Sequence, residues 1–164
     1  MDVPDRCDGE NLRVLLESAN IRFRIVHHKI RGSTVDQSAE RGHAPSLAVK
    51  VLLLEGLDHS DEKVRLLCAI PGDKRLSYDA VRNVGGLRRI WTMPRREAER
   101  LMSCPSGSFP PICLEGGAQH VFDWSFKAIS DAVVIGSGCL TESYWVDIKE
   151  IIGVAKPKFG RITL

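Results

Sequence analysis

The chain predicts an α+β fold built on a mixed β-sheet, and three observations carry that expectation. Apolar runs of strand length recur along the 164 residues and outnumber the segments with helical spacing. Strands and helices follow one another in irregular order, without the regular alternation of a doubly wound sheet. A hydrophobic content of 43% in a chain of this length is enough for one real core. One domain is expected over residues 1–164, with its core at about 10–154 and a loose basic tail over 155–164.

Residues 9–20 place Leu12, Leu15, Leu16 and Ala19 at helical spacing, and Asn20 suits the end of that helix. From Arg22 to His28 polar and apolar residues alternate, as in a half-buried strand. Gly32 breaks it, Ser33 or Thr34 can cap a helix over 35–41, and Gly42 and Pro45 stop that helix. Two β-like runs, Ala48–Leu54 and Val64–Ile70, flank a polar stretch and read as neighbouring strands. Pro71-Gly72-Asp73 is a turn. A short helix over 77–84 ends at Gly85-Gly86, a strand spans Leu87–Met93, and Pro94 opens a charged helix over Arg95–Met102. Strands are expected at Gln119–Phe122, Asp131–Ile135 and Thr141–Val146. Asp123 caps a short turn, and Asp147 caps a last helix over Ile148–Val154.

Charge and cysteine usage narrow the setting. The formal net charge is +2, which excludes an acidic solvating tail and leaves room for local basic surface. Five cysteines without C-x-x-C spacing argue against a zinc site or a disulfide scaffold, so reduced thiols are expected. The polar, acidic N-terminus is unlike a signal peptide, and no apolar run reaches the roughly 20 residues of a membrane span. A soluble cytoplasmic protein with no membrane partner is the expectation.

Two stretches stand out chemically. Cys104 to Cys113 contains Gly107 and Pro110-Pro111, so its backbone is free to take positive φ at one end and is stiff at the other. It holds no acid, base or histidine, and any site there works through main-chain dipoles and shape. Lys50, set in the apolar run Val49–Leu54, is either a pocket lysine for an anionic or polar group or an edge lysine reaching water. Gly136-x-Gly138 follows a strand but lacks the third glycine and the helix of a dinucleotide fingerprint. Arg22, Arg24, Lys29 and Arg31, with Arg88, Arg89, Arg95, Arg96 and Arg100, could meet a nucleic-acid backbone or simply face solvent. Cys104, Cys113 and His120 contain the residue types of a thiol hydrolase, but their spacing does not support one. Each cysteine reads more simply as a small buried hydrophobe.

In order, His28, Ser33–Ala39, Val49–Leu53, Ile70–Leu76, Gly107-x-x-x-Pro111, Val121–Ser125 and Gly136-Ser137-Gly138 resemble the YbaK/prolyl-tRNA-synthetase-associated editing domains, the bacterial aminoacyl-tRNA deacylases. The similarity covers roughly residues 10–154. It implies a compact, barrel-like mixed sheet wrapped by helices, and hydrolysis of the ester joining a wrong small amino acid to a tRNA 3′ end. It further implies a free-standing, metal-independent, cofactor-free enzyme, with an aminoacyl-tRNA synthetase as one potential partner.

Residue by residue, the family lysine matches Lys50 and would hold the terminal nucleotide. The glycine-to-proline loop matches Gly107, Ser108, Phe109, Pro110 and Pro111, whose backbone would grip the aminoacyl group. Gly136, Ser137 and Gly138 match the small segment beside which that nucleotide approaches. Thr34 and Ala39 fall in the helix region walling the amino-acid pocket, and His28 lies where the family often has histidine. Asp123 matches an acidic residue with a structural role. An aminoacyl ester is already activated, so positioning a water or a ribose hydroxyl can suffice for its hydrolysis. The family usually continues Pro-Phe-Gly, whereas this chain has Pro110-Pro111-Ile112-Cys113. That departure raises a second expectation, a non-catalytic module binding a tRNA end, a nucleotide or a protein.

Overall fold

The computed structural model describes residues 9–29 and 44–164. The expected helix over 35–41, with Thr34 and Ala39, lies outside the described residues. Helix α1 spans Gly9–Ser18 and buries Leu12 and Leu16 completely. It ends at Asn20, which takes the left-handed conformation at φ 56°. Strand β1, Phe23–His27, follows.

Strands β2, Val49–Asp58, and β3, Lys63–Pro71, form a long antiparallel hairpin in which Lys50 faces Ile70 across the ladder. The expected polar connection shrinks to a tight turn, because Asp58 accepts from the backbone N–H groups of Ser60 and Glu62 and folds the link on itself. The hairpin is buried on both faces, which is why its runs read as continuously apolar. Val49, Leu53, Leu67 and Ala69 join one core cluster, whereas Leu54, Leu66, Cys68 and Ile70 join another.

Helix α2, Tyr78–Val84, is capped by the Ser77 hydroxyl. Strand β4, Leu87–Thr92, pairs with the far half of β2. Helix α3, Arg95–Met102, starts after Pro94 and buries Ala98 and Met102. Strand β5, Gln119–Asp123, runs parallel to β3. Asp123 then accepts from Ser125 N–H to start a 3-10 turn over Trp124–Ala128. Strands β6, Ala132–Gly136, and β7, Glu142–Asp147, pair antiparallel, and β7 also pairs with β1. Asp147 caps helix α4, Ile148–Ala155.

Two departures concern architecture. The strands form a three-stranded sheet, β1-β7-β6, and a five-stranded sheet, β4-β2-β3-β5-β8, whose last strand is Lys158–Gly160. Among the described residues they meet in one parallel bridge between Ala48 and Val134, and no closed barrel forms. One edge of β2 is occupied by β4 at its far end, so β6 touches only its start. The tail is not loose either. Lys158–Gly160 forms β8, parallel to β5, and Ile162 is fully buried. Its basic composition conceals Phe159 and Ile162, which supply the apolar contacts.

Cys68, Cys104 and Cys113 are buried, as small hydrophobes should be. Cys139 is disulfide-bonded, which departs from the expectation that every thiol is reduced. Among the described residues no helix is long and apolar enough to cross a membrane.

Candidate functional site

The segment between α3 and β5 is fixed at several points. Ser106 N–H donates to Glu99 Oε1 at 3.0 Å, anchoring the segment to α3. Ser108 donates twice to Pro105 O, from its N–H at 3.1 Å and from its hydroxyl at 2.6 Å. This closes a turn whose third residue, Gly107, has φ 92°, a conformation that glycine adopts without a Cβ penalty. Pro110, Pro111, Ile112 and Cys113 are all buried, so the chain's own Pro-Pro-Ile-Cys run packs inward.

The far end is held by His120. Its Nε2 accepts from Cys113 N–H at 2.9 Å, and its Nδ1 donates to Ala155 O at 2.9 Å. Burial lowers the His120 pKa below the usual histidine range, with the Ala155 carbonyl opposing, so the neutral ring that can accept is favoured. The Cys113 thiol donates to Gly116 O at 2.9 Å, and burial raises its pKa. His120 therefore meets the backbone of Cys113 and not its sulfur. A buried thiol without a base is a poor nucleophile.

The segment seats on β6. A Cβ at Gly136 would stand 2.6 Å from Ser108 O and would strike Phe109 O, so only glycine lets the two backbones approach this closely. Gly138 N–H donates to Ser108 O at 2.8 Å and locks the contact. The Ser137 hydroxyl is committed to its own turn, donating to Glu142 O at 2.8 Å and accepting from Cys139 N–H at 3.2 Å. A cleft of only about 20 Å³ lies between α1 and this segment, lined by Asn11, Pro110 and Ser137 among others. It has room for about one water.

Register brings the remaining residues together. Ala48 of the β2 edge bridges Val134 of β6 in parallel, so two residues further along each strand lie Lys50 and Gly136, on one face. Gly136 pairs with Ser143 of β7, and Ser143 pairs with Val26 of β1. His28, just beyond β1, turns back to Ser143, its Nε2 2.9 Å from Ser143 Oγ. Lys50, Gly136 and Ser143 thus lie on one face, with the His28 ring against Ser143 and the Ser108–Phe109 backbone over Gly136. Ala48 and Val134 on this face belong to neither core cluster.

Lys50 is half-buried, and no carboxylate among the described residues forms an ion pair with it. Burial lowers its pKa and Arg75 lowers it further, while Asp73 acts in the opposite direction. Arg88 pairs with Asp61 and Arg95 with Glu99, so part of the basic surface is already neutralised. Asp123 is buried and structural. It accepts from Ser125 Oγ at 2.5 Å and from Ile162 N–H at 3.0 Å, tying the tail to β5.

Ser143 escaped the sequence reading, because a serine alternating within a strand looks like any solvent-facing position. Its only signal is that Thr141–Val146 alternates so as to set Ser143 opposite the glycine motif. Among the described residues no cluster of three or more potential metal ligands occurs.

A family model described as an aminoacyl-tRNA editing domain matches residues 30–153. No curated protein matches the chain. Among solved structures, hypothetical protein APE2540 superposes with a TM-score of 0.82 at 20% identity, over 94% of this chain and 99% of that one. A candidate trans-editing enzyme for prolyl tRNA synthetase gives a TM-score of 0.80 at 14% identity, over 95% of this chain and 96% of that one. At these identities the likeness is one of fold.

Proposed function

The chain belongs to the aminoacyl-tRNA editing domain family, and from that premise we propose that it is a deacylase acting in trans, hydrolysing the ester of a mischarged small amino acid on tRNA. The observation that supports the reading is the seating of the Ser108–Phe109 backbone on Gly136, with Lys50 two residues past the bridge that joins β2 to β6. Lys50 holds the terminal nucleotide through its phosphate or hydroxyls. An ammonium with no ion-pair partner among the described residues, beside an apolar wall, suits that task. The Gly107–Pro111 main chain grips the aminoacyl group and presents N–H groups to the oxygen that becomes negative as the ester is attacked. Gly136 allows the segment, and with it the terminal nucleotide, to lie close to β6. His28 bounds the amino-acid pocket, and neither a metal nor a cofactor takes part. The protein works in the cytoplasm, where its substrate is made.

Selection is by size, and one methylene in an apolar pocket is worth only about 1–3 kcal/mol, so a second sieve after the synthetase has a purpose. The binding-module alternative rested on the altered run after Pro111. Ile112 and Cys113 pack in the core, which supports the deacylase reading over that alternative.

The test is deacylation of tRNAs charged with alanine, cysteine, serine, threonine and other small amino acids, with Lys50→Ala alongside wild type. Wild type should discharge one ester rapidly. Lys50→Ala should stay folded and lose roughly a hundredfold or more, since positioning terms are of that size. Unchanged turnover in a folded Lys50→Ala protein would remove Lys50 from the site. Binding of charged tRNA without any faster ester loss would transfer the assignment to the module.

A further inference from the structure

The end of the five-stranded sheet that carries Lys50 also carries an aromatic and basic surface outside the site described above. Lys50 faces Ile70 of β3, and the neighbouring Ala69 faces Phe122 of β5, so Asp123 stands beside Ile70. Gly160 of β8 pairs with Asp123 in turn. Trp124 and Arg161 are the next residues, and two strand spacings, about 10 Å, separate β5 from β2. The tail then runs along Arg75–Ser77. Leu164 N–H donates to Arg75 O, Leu76 bridges Thr163, and Ser77 N–H donates to Ile162 O. Burial and then Arg75 lower the Lys50 pKa, which sets Arg75 within electrostatic reach of Lys50. A basic row thus leads from Lys50 past Arg75 to Arg161.

Trp124 opens the 3-10 turn and is 50% exposed, the most exposed aromatic ring among the described residues. Lys127 Nζ lies 4.2 Å from the centre of the indole and 4.4 Å from that of Phe159, whose ring meets the indole edge-on at 6.5 Å. Residues 124–130 and 155–164 hold Lys127, Lys156, Lys158 and Arg161 and no acidic side chain. All four cations are exposed, and none enters an ion pair among the described residues. A contact that only fastened the tail would bury its indole, whereas here half of the residue is left to solvent.

We propose that this end of the sheet is an RNA-binding surface, on which a base of the strand leading to Lys50 stacks on Trp124 while Lys127 and Arg161 meet its phosphates. The inference rests on the deacylase reading above, whose substrate is a tRNA. Every base has a π-face, so stacking on an exposed indole tolerates any sequence, and cations beside it follow the backbone. A protein interface would ask for more apolar area than one indole and a half-buried phenyl ring provide. The surface therefore contributes affinity and direction of approach, and leaves the choice of amino acid to the site.

The test reads binding of bulk uncharged tRNA to the full chain, which needs no ester hydrolysis. Trp124→Ala should weaken binding roughly tenfold or more, the scale of one lost base stack. Trp124→Phe keeps a π-face and should recover most of that loss, while its tryptophan fluorescence should be quenched less by tRNA than that of wild type. Lys127→Gln and Arg161→Gln should each reduce the slope of log affinity against log salt by about one. On a charged tRNA that the protein discharges, Trp124→Ala should raise KM and leave kcat in place, because the stack is remote from the ester. Folded Trp124→Ala and Arg161→Gln proteins that both bind tRNA within about threefold of wild type would overturn the proposal and give the patch to a protein partner. Quenching in Trp124→Phe equal to wild type would overturn the stack as well. Binding that depends on Trp124 in a protein that discharges no ester would uphold the surface and remove the deacylase reading alone. Should Trp124→Ala fail to fold, Arg161→Gln decides, since it alters an exposed side chain.

Discussion

Gly136→Ala is the most direct perturbation of the site, since it adds one methyl and no charge. Its Cβ would stand 2.6 Å from Ser108 O and 2.8 Å from Phe109 C, both main-chain atoms. An ordinary carbon–oxygen contact is about 3.3 Å or longer, so the segment must retreat by about 0.7 Å or more. It cannot swing aside cheaply. Pro110 and Pro111 are buried just beyond, and Ser108 is tied both to Pro105 O and to Gly138 N–H. Overpacking of this kind costs about 1–3 kcal/mol. A catalytic group misplaced by about 1 Å loses roughly a hundredfold in rate. Urea unfolding and kcat/KM on the preferred charged tRNA, measured on the same preparation, should show both losses. Gly153→Ala is the internal control. It lies within α4 with nothing inside 4 Å of its Cβ, so it should leave kcat/KM unchanged and gain about 0.5–1 kcal/mol. Gly136→Ala with wild-type turnover and stability within about 0.5 kcal/mol would refute the seating of the loop on β6 as the basis of the site.

His120 makes stability depend on pH in a definite direction. Burial holds its folded pKa below the unfolded value of about 6.5, so the folded chain binds fewer protons than the unfolded one in acid. Stability is then complete above about pH 6.5 and is lost as the pH falls from there through the folded value. His120→Gln, which can still accept and donate, should flatten that part of the urea-midpoint profile, and an unchanged profile would count against the assignment. Asp123→Ala leaves the N–H groups of Ser125 and Ile162 without their acceptor, so it should cost about 1–3 kcal/mol per buried group. Hydrogen exchange should localise that loss to residues 158–164, and exchange rates there equal to wild type would contradict the tie.

Helix and strand positions were legible where periodicity and capping act locally. Arg95–Met102 and Tyr78–Val84 follow from Pro94 and Ser77, and Asp147 starts α4 through its own carboxylate. The closure of the sheet was not legible, because β4 and β6 compete for one edge of β2 and no local pattern records which strand wins. Residues 158–164 misled for a related reason. Their charges suggest solvent, while Phe159 and Ile162 find their partners on β5, α2 and Leu76, distant in sequence. The candidate site divides in the same way. Gly107, Pro111 and Gly136 could be read because backbone demands leave visible residues. Ser143 could not, because its meaning lies in register, with His28 115 residues away.

That division follows from how the site is built. The loop is fixed by Glu99 at its start, by the Pro105 turn and Gly138 in its middle, and by His120 at its end. Its order is therefore established on folding, and little remains to be ordered when an ester arrives. A site of this kind makes few demands on side chains and strict ones on backbone. Phe109 or Ile112 can change size within what the core tolerates, whereas the Gly136 contact tolerates no Cβ. Side-chain chemistry is asked chiefly of Lys50, two residues past the Ala48–Val134 bridge. In the proposed deacylase, a loop that supplies fixed dipoles and a strand lysine that holds the substrate divide the work between stabilising charge and positioning. Gly136→Ala and Lys50→Ala probe those two halves separately. The double variant should fall short of the product of the two single losses if both halves act on one ester.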